Sequence, residues 1–377
     1  MRKPTLLVSG AGIAGTTLAV LAARAGFDVT VVERAAGQRS SGSPVDVHGI
    51  AFDIAERLGI AEELAAHATS TKELEFVDAA GTPVAHMPIN SALDPRHIEI
   101  SRTDLSAAIA GAGKDDYAIS WSDQLTAVEQ TGEVVRVDFA NSESGEFDLV
   151  VGADGLHSGV RALAFGPEDD FVRFRNLYVA TVQLSETVAD LSRVVMHNSP
   201  GASVTVHPVT GHPGAAFIFR SHLRVSYRDP SAALDLIRTT YRDVGWRAQE
   251  FIETYAAADE TYFDAVSQVR MPAWSIGSIG LVGDAASSLS LFGDGSSSAM
   301  IGAATLAREL AAARDSDRDW TAAFARYEKN HRRVIAPNLR GFEVAARLLV
   351  PRTRSGILVR NAAVRVAGVA RHSRPSG

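Results

Sequence analysis

Residues 5–33, TLLVSGAGIAGTTLAVLAARAGFDVTVVE, restrict the possible folds more than any other stretch of the chain. Thr5 to Ser9 is a short β-rich run, Thr16 to Gly26 is helix-forming and ends on the glycine favoured just past a helix, and Asp28 to Glu33 is β-rich again. Both β-rich runs are almost continuously apolar, as expected of parallel strands covered on both faces. Between the first strand and the helix, GAGIAG fits G-x-G-x-x-G. Gly10 permits a tight turn, Gly12 lets the backbone approach a pyrophosphate, and Gly15 lets helix and strand pack closely. Glu33 ends the second strand, where a carboxylate can bind both hydroxyls of an adenosine ribose. The unit reads as a dinucleotide site. Its acid disfavours a ribose 2'-phosphate, leaving FAD or NAD rather than NADP as the tightly held nucleotide.

At 377 residues the chain has room for one large domain or two, and 46% hydrophobic against 21% charged residues supplies an ordinary globular core. A net charge of -7 argues against nucleic-acid and anionic-membrane partners, which select basic surfaces. The absence of cysteine excludes disulfides, thiolate metal sites and cysteine nucleophiles, and fits a cytoplasmic protein. Arg2 and Lys3 precede only a brief apolar run that ends in the glycine turn, so no targeting segment is read.

Downstream, AFDIAERLGIAEELAAHA reads as a helix, ELEFVDAAGTPVAHMPI as a hairpin, and SRTDLSAAIAGA as a helix starting at Ser101 or Thr103. Residues 172–226 alternate as a largely antiparallel sheet, two helices follow, and the chain ends in a long helical stretch broken near Pro337. The nucleotide-type signals lie at both ends. The expected fold is therefore α/β (α+β overall), a Rossmann-like domain of residues 1–70, 98–168 and 272–345. A β-sheet substrate domain of residues 71–97 and 169–271 is inserted into it, and residues 346–377 form a C-terminal helix and tail.

Two further motifs separate FAD from NAD. GADGLHSGVR (Gly152 to Arg161) follows a second strand, and GLVGDAA (Gly280 to Ala286) precedes a serine-rich loop and an alanine-rich helix. With the first motif, in this order, they resemble the para-hydroxybenzoate hydroxylase-like FAD-dependent monooxygenases over almost the whole chain, most of all the short branch that includes the tetracycline-inactivating monooxygenase. The resemblance implies that Gly10, Gly12, Ala14, Gly15, Glu33 and Arg34 hold the ADP half of FAD. It puts Asp154 near the pyrophosphate and the nicotinamide, and Gly283 and Asp284 at the ribityl-phosphate region. Asp46, in GSPVDVHG, approaches the flavin, and Arg102, in ISRTDL, meets its phosphates or ribityl chain. Gly293, Gly295 and Ser296 would cup the pyrimidine end of the ring, with the next helix directing its positive end at the reduced flavin. Arg39 would meet NADPH.

The implied reaction is NADPH- or NADH-dependent hydroxylation of an aromatic or polyketide-like molecule by molecular oxygen, through a flavin C4a-hydroperoxide. The cofactor carries the chemistry, so no side chain is assigned as catalytic. Tyr178, Phe217, Phe219, Arg220 and Phe292 are the expected substrate contacts, and a monomer or homodimer is expected. One departure stands out: relatives have a proline and often a histidine after GDAA, where this chain has Leu291 and Ser287, and LFGDGSS is one residue short. Asp294 is expected to point to solvent, away from the anionic reduced ring. The altered loop keeps a flavin reductase or oxidase open as the alternative, and behind it a non-catalytic flavoprotein. No metal is expected, because His197, His207, His212 and His222 lack ligand spacing. The serine runs lack a nucleophile elbow, and RYEKNHRR reads as an exposed helix face.

Overall fold

The computed structural model describes residues 2–38, 43–89, 94–185, 190–209, 213–288 and 295–372, with side chains through Val366. The apolar runs at the two ends of the chain assemble into one six-stranded sheet: β1 (Thr5–Ser9), β2 (Asp28–Glu33), β7 (Ala118–Trp121), β11 (Leu149–Gly152), β17 (Ser275–Ile276) and β18 (Ile279–Leu281). Their order is β17-β18-β11-β1-β2-β7, and every pairing is parallel except β17 with β18. Leu6, Leu7, Val8, Val150, Val151 and Leu281 are fully buried, the burial on both faces that continuous apolar strands need. Helices α1 (Ile13–Arg24) and α9 (Gly295–Arg314) share this core, as does a meander of β8 (Leu125–Thr131), β9 (Val134–Phe139) and β10 (Gly145–Phe147).

The second sheet has seven strands in the order β16-β12-β15-β14-β13-β4-β5. They are β4 (Glu73–Val77), β5 (Pro83–Pro88), β12 (Val172–Gln183), β13 (Arg193–Ser199), β14 (Ala202–His207), β15 (Gly214–Arg220) and β16 (Thr261–Val269). All pairings are antiparallel except β4 with β13. Alternation gives this sheet two different faces. Tyr178, Ala180, Phe217, Phe219 and Phe263 form one core with α7 (Pro230–Tyr241) and α8 (Ala248–Ala257). The intervening residues Thr181, Ala216, Thr205 and Tyr262 lie on the other face, in one row by register.

A small ribbon, β3 (Pro44–Val47) with β6 (Ile98–Ser101), joins the two sheets, with α2 (Ile50–Leu58), α3 (Ala61–Ala66) and α4 (Arg102–Ala112) packed around it. Short helices α5 (Gly159–Ala164) and α6 (Glu168–Phe171) precede the large sheet, and α10 (Trp320–Leu349) and α11 (Arg354–His372) close the chain.

Two expectations differ from this structure. The single helix read after residue 50 is two, because Gly59 caps α2 in the left-handed region at φ 82°. The final helical stretch is not broken at Pro337: α10 runs through it. A proline costs one backbone hydrogen bond and some crowding, and burial of Ile335, Phe342, Ala346 and Leu349 on either side holds the helix together. Among the described residues, no helix is long and apolar enough to cross a membrane.

Candidate functional site

The glycine turn divides its labour as its spacing predicts. Gly10 has φ +107°, and a Cβ there would lie 2.6 Å from the Ala153 carbonyl oxygen. A Cβ on Gly15 would lie 1.9 Å from the Gly10 oxygen, so this glycine serves helix–strand packing. A Cβ on Gly12 meets nothing within 4 Å, and Gly12 caps α1 with no side-chain hydrogen bond. The open position therefore lies where the unpaired N–H groups of the helix start face outward, which suits a pyrophosphate. Glu33 accepts hydrogen bonds from the Ala11 and Ala35 N–H groups, both 2.9 Å long. These fix the carboxylate and leave lone pairs for two ribose hydroxyls. Arg34 is exposed beside it. Ala14 has a packing role: its methyl lies where Gly283, at φ +63°, approaches α1, and a Cβ on that glycine would sit 2.7 Å away.

GADGLHSGVR is tied together by its own polar side chains. Ser158 donates to Asp154 Oδ1 at 2.5 Å, and the Val160 N–H donates to Asp154 Oδ2 at 3.0 Å, so Asp154 is held at the start of α5. Burial raises its pKa, partly offset by these donors. Arg161 is fully buried and donates to Leu156 O within the motif and to Ala285 O in GDAA, at 2.5 and 3.0 Å. The last residue of one motif thus locks the second motif to the third. Sequence reading singled out Asp154 and missed this role of Arg161, although the arginine is part of the signature.

The two halves come together around Arg102, Asp284 and Tyr262, whose charges interact, and the space between them is the candidate cleft. Its floor carries Arg102, the first residue of α4 after the Ser101 cap, whose Oγ accepts from the Asp104 N–H at 3.0 Å. Arg102 Nε is buried without a hydrogen-bond partner among the described residues. Asp284, in the 3₁₀ turn Gly283–Ala285, is open to solvent, but the protein surrounding it raises its pKa, with Arg102 opposing and Asp264 adding to the rise. On β3, Asp46 pairs with His97 at 2.9 Å, and its carbonyl accepts from Ser297 of α9 at 2.7 Å. Ser296, in the same first turn of α9, is 2% exposed with its hydroxyl unpartnered among the described residues. An arginine Nε and a serine hydroxyl left unsatisfied in a native fold point to polar groups supplied by a ligand. With the open Gly12 position, they fit FAD.

The roof is the second face of the seven-stranded sheet. Tyr262 is 39% exposed, yet the protein around it, then Asp264 and Asp284, raises its pKa while Arg102 opposes, so its phenol lies within electrostatic reach of the floor's charged pair. Burial lowers His207, with Glu99 of β6 opposing, so the imidazole is neutral near pH 7. Neither residue was a sequence candidate. Strand alternation was visible, but which set of alternate residues faced a helix layer was not.

The expected substrate aromatics lie elsewhere. Tyr178, Phe217 and Phe219 are buried against α7 and α8, and the Tyr178 hydroxyl donates to Leu223 O and accepts from the Val225 N–H, both at 2.9 Å. Arg220 donates to Val350 O and Ala346 O at 2.9 and 2.7 Å, satisfying the last carbonyls of α10. These four are structural. Arg39, Phe292, Gly293, Leu291 and Asp294 lie outside the described residues. No group of three or more potential metal ligands occurs among the described residues.

Residues 3–340 match the family described as "FAD binding domain". The chain is 34% identical over 342 residues to an uncharacterized protein of Mycobacterium tuberculosis, covering 89% of this chain and 91% of that one. It is 32% identical over 341 residues to a flavin-dependent monooxygenase of Legionella longbeachae, covering 88% and 86%. The crystal structure of tetracycline destructase Tet(51) superposes with a TM-score of 0.83 at 27% identity, over 100% of this chain and 99% of that one. With the three motifs packed on one another, the chain belongs to the FAD-binding-domain family as a para-hydroxybenzoate hydroxylase-like, FAD-dependent monooxygenase.

Proposed function

We propose that the protein hydroxylates an aromatic or polyketide-like molecule held between the flavin and the seven-stranded sheet, using molecular oxygen and NADPH or NADH. The observation carrying this reading is that Tyr262, on the sheet's second face, interacts electrostatically with Arg102 and Asp284 of the nucleotide half, beside the buried and unsatisfied Arg102 Nε and Ser296 hydroxyl. A dinucleotide on the floor leaves a roofed space above it, and likeness to Tet(51) suggests fused-ring polyketides for that space.

When bound, FAD supplies the redox chemistry, taking a hydride from the nicotinamide and activating oxygen for transfer. The protein's part is to bind, orient and exclude water. Gly12 and the start of α1 would receive the pyrophosphate, Glu33 with Arg34 the adenosine end, and Arg102 and Asp284 the ribityl-phosphate region. Gly295, Ser296 and Asp46 would lie beside the ring, where the N-terminus of α9 favours negative charge on the reduced flavin. Asp154 would lie between pyrophosphate and nicotinamide. On the roof, Tyr262 and His207 replace the buried aromatics as substrate contacts. Tyr262, kept protonated, offers a hydroxyl donor, and neutral His207 offers a nitrogen lone pair or N–H to a phenol or enol.

The test is to incubate the FAD-loaded protein with NADPH or NADH, oxygen, and a panel of tetracyclines and hydroxylated aromatics. We expect one compound to accelerate nicotinamide oxidation and gain the mass of one oxygen atom. Nicotinamide oxidation indifferent to every compound, with peroxide as the sole oxygen product, would instead support the oxidase or reductase reading.

A further inference from the structure

The C-terminal helix is built inside out. In α11, Arg360 and Asn361 face inward at 6% and 7% exposure, while Leu358, Val359 and Val366 face outward at 69%, 69% and 70%. The helix packs against β5 and β13. Its rotation is fixed by a polar lock: Arg360 donates to Asn361 Oδ1, Leu348 O and Asn198 Oδ1 at 2.8, 2.9 and 2.8 Å, and its guanidinium lies 3.8 Å from the Phe76 ring centroid. Rolling the helix to bury its leucine and valines would break these hydrogen bonds and leave Asn198 Oδ1 and the Leu348 carbonyl without their donors. The outward apolar face is therefore a stable property of the fold. Val344 and Leu348, near the end of α10, are also exposed, at 61% and 49%.

Charge around this face is one-sided. All 44 acidic residues of the chain lie at or before Glu343, and seven arginines follow them. Of these, Arg347, Arg352, Arg354 and Arg365 are exposed. The net charge of -7 thus conceals a terminal segment without a single acid. Two copies docking through α11 about a two-fold axis would bring two such segments together, which like-charge repulsion opposes. A surface that is apolar beneath and anionic above meets no such penalty.

We propose that the outward face of α11 docks on an anionic phospholipid bilayer, with Leu358, Val359 and Val366 entering the headgroup boundary and the flanking arginines meeting lipid phosphates. The helix lies on the surface and does not span it.

The experiment is co-sedimentation of the full-length, FAD-loaded protein with vesicles of phosphatidylcholine mixed with phosphatidylglycerol, and with pure phosphatidylcholine. The wild type should bind the mixed vesicles, bind the neutral ones far less, and be released by salt. A Leu358→Ser/Val366→Ser variant should partition about tenfold more weakly, and Arg354→Gln should weaken only the anionic component. All these side chains are exposed, so flavin absorbance and melting temperature should not change. Equal binding by the wild type and the double variant overturns the proposal, as does failure to bind mixed vesicles. So does a dimer in sedimentation equilibrium that the double variant dissociates, which would make a second copy the occupant.

Discussion

His157 contacts a carboxylate with each ring nitrogen: Nδ1 lies 3.0 Å from Glu168 and Nε2 lies 3.2 Å from Asp264. A neutral imidazole has one N–H, so only the doubly protonated ring satisfies both contacts. Burial alone would lower its pKa, but the hydrogen bond and charge of Asp264, followed by those of Glu168, outweigh it and raise the pKa above the ordinary value. The ring is stacked on Tyr227, with centroids 3.9 Å apart. It thus ties the GADG loop of the nucleotide half to β16, the strand that carries Tyr262.

The perturbation is His157→Gln. The Asp264 arm is well shielded, and a hydrogen bond between charged groups contributes about 1.5–3 kcal/mol. Glu168 is 40% exposed, so its arm adds about 1 kcal/mol at most. The expected loss at pH 6 is about 1.5–4 kcal/mol, or a fall in Tm of about 2–5 °C for a chain of 377 residues. Because the folded-state pKa is raised, the stabilisation is complete below the ordinary imidazole value of about 6.5 and fades as pH climbs through the raised value. Melting curves of both proteins at pH 6 and pH 9, in excess FAD, should show a gap that closes at the higher pH. A gap of equal size at both pH values would refute the cationic clamp. A double-mutant cycle with Asp264→Asn at pH 6 should give a coupling of about 1.5–3 kcal/mol, and near-zero coupling would assign the effect to packing on Tyr227.

The other predictions concern residues with separable roles. Gly12→Ala should weaken FAD binding by about tenfold or more while leaving the apoprotein's Tm unchanged, whereas Gly15→Ala should fail to fold, and flavin titration with circular dichroism distinguishes them. Equal FAD affinity for Gly12→Ala and wild type would remove the pyrophosphate from that turn. Arg161→Met strands the Leu156 and Ala285 carbonyls and should cost about 2–5 kcal/mol by urea denaturation, and a loss below 1 kcal/mol would mean the motifs are held by other contacts. Phe217→Ala should lose about 3–5 kcal/mol as a core cavity with kcat/KM of the folded enzyme intact, so a selective change in substrate KM at unchanged stability would return Phe217 to the substrate site. Tyr262→Phe should raise substrate KM without altering stability, and an unchanged KM would leave the roof contact to His207.

The nucleotide half was legible because each local requirement has its own residue type. A tight turn at positive φ, a close backbone approach and a close helix crossing each demand glycine, and their spacing displays all three at Gly10, Gly12 and Gly15. Ser101 likewise announced its helix, because capping is a contact three residues long. Pro337 misled, because a proline's local cost is small beside the burial on both sides of it.

The sequence by itself determined the opening βαβ unit, the dinucleotide turn and the three motifs that name the family, all properties of short range or fixed spacing. Only the tertiary structure decided which face of the large sheet looks onto the cleft. The alternation that marks Tyr178, Phe217 and Phe219 as one set also marks Thr181, Ala216 and Tyr262 as another, and nothing local says which set α7 and α8 will cover. It decided likewise that Arg220 caps α10 and that Arg161 joins two motifs, because a buried guanidinium is assigned by the carbonyls that the fold brings to it.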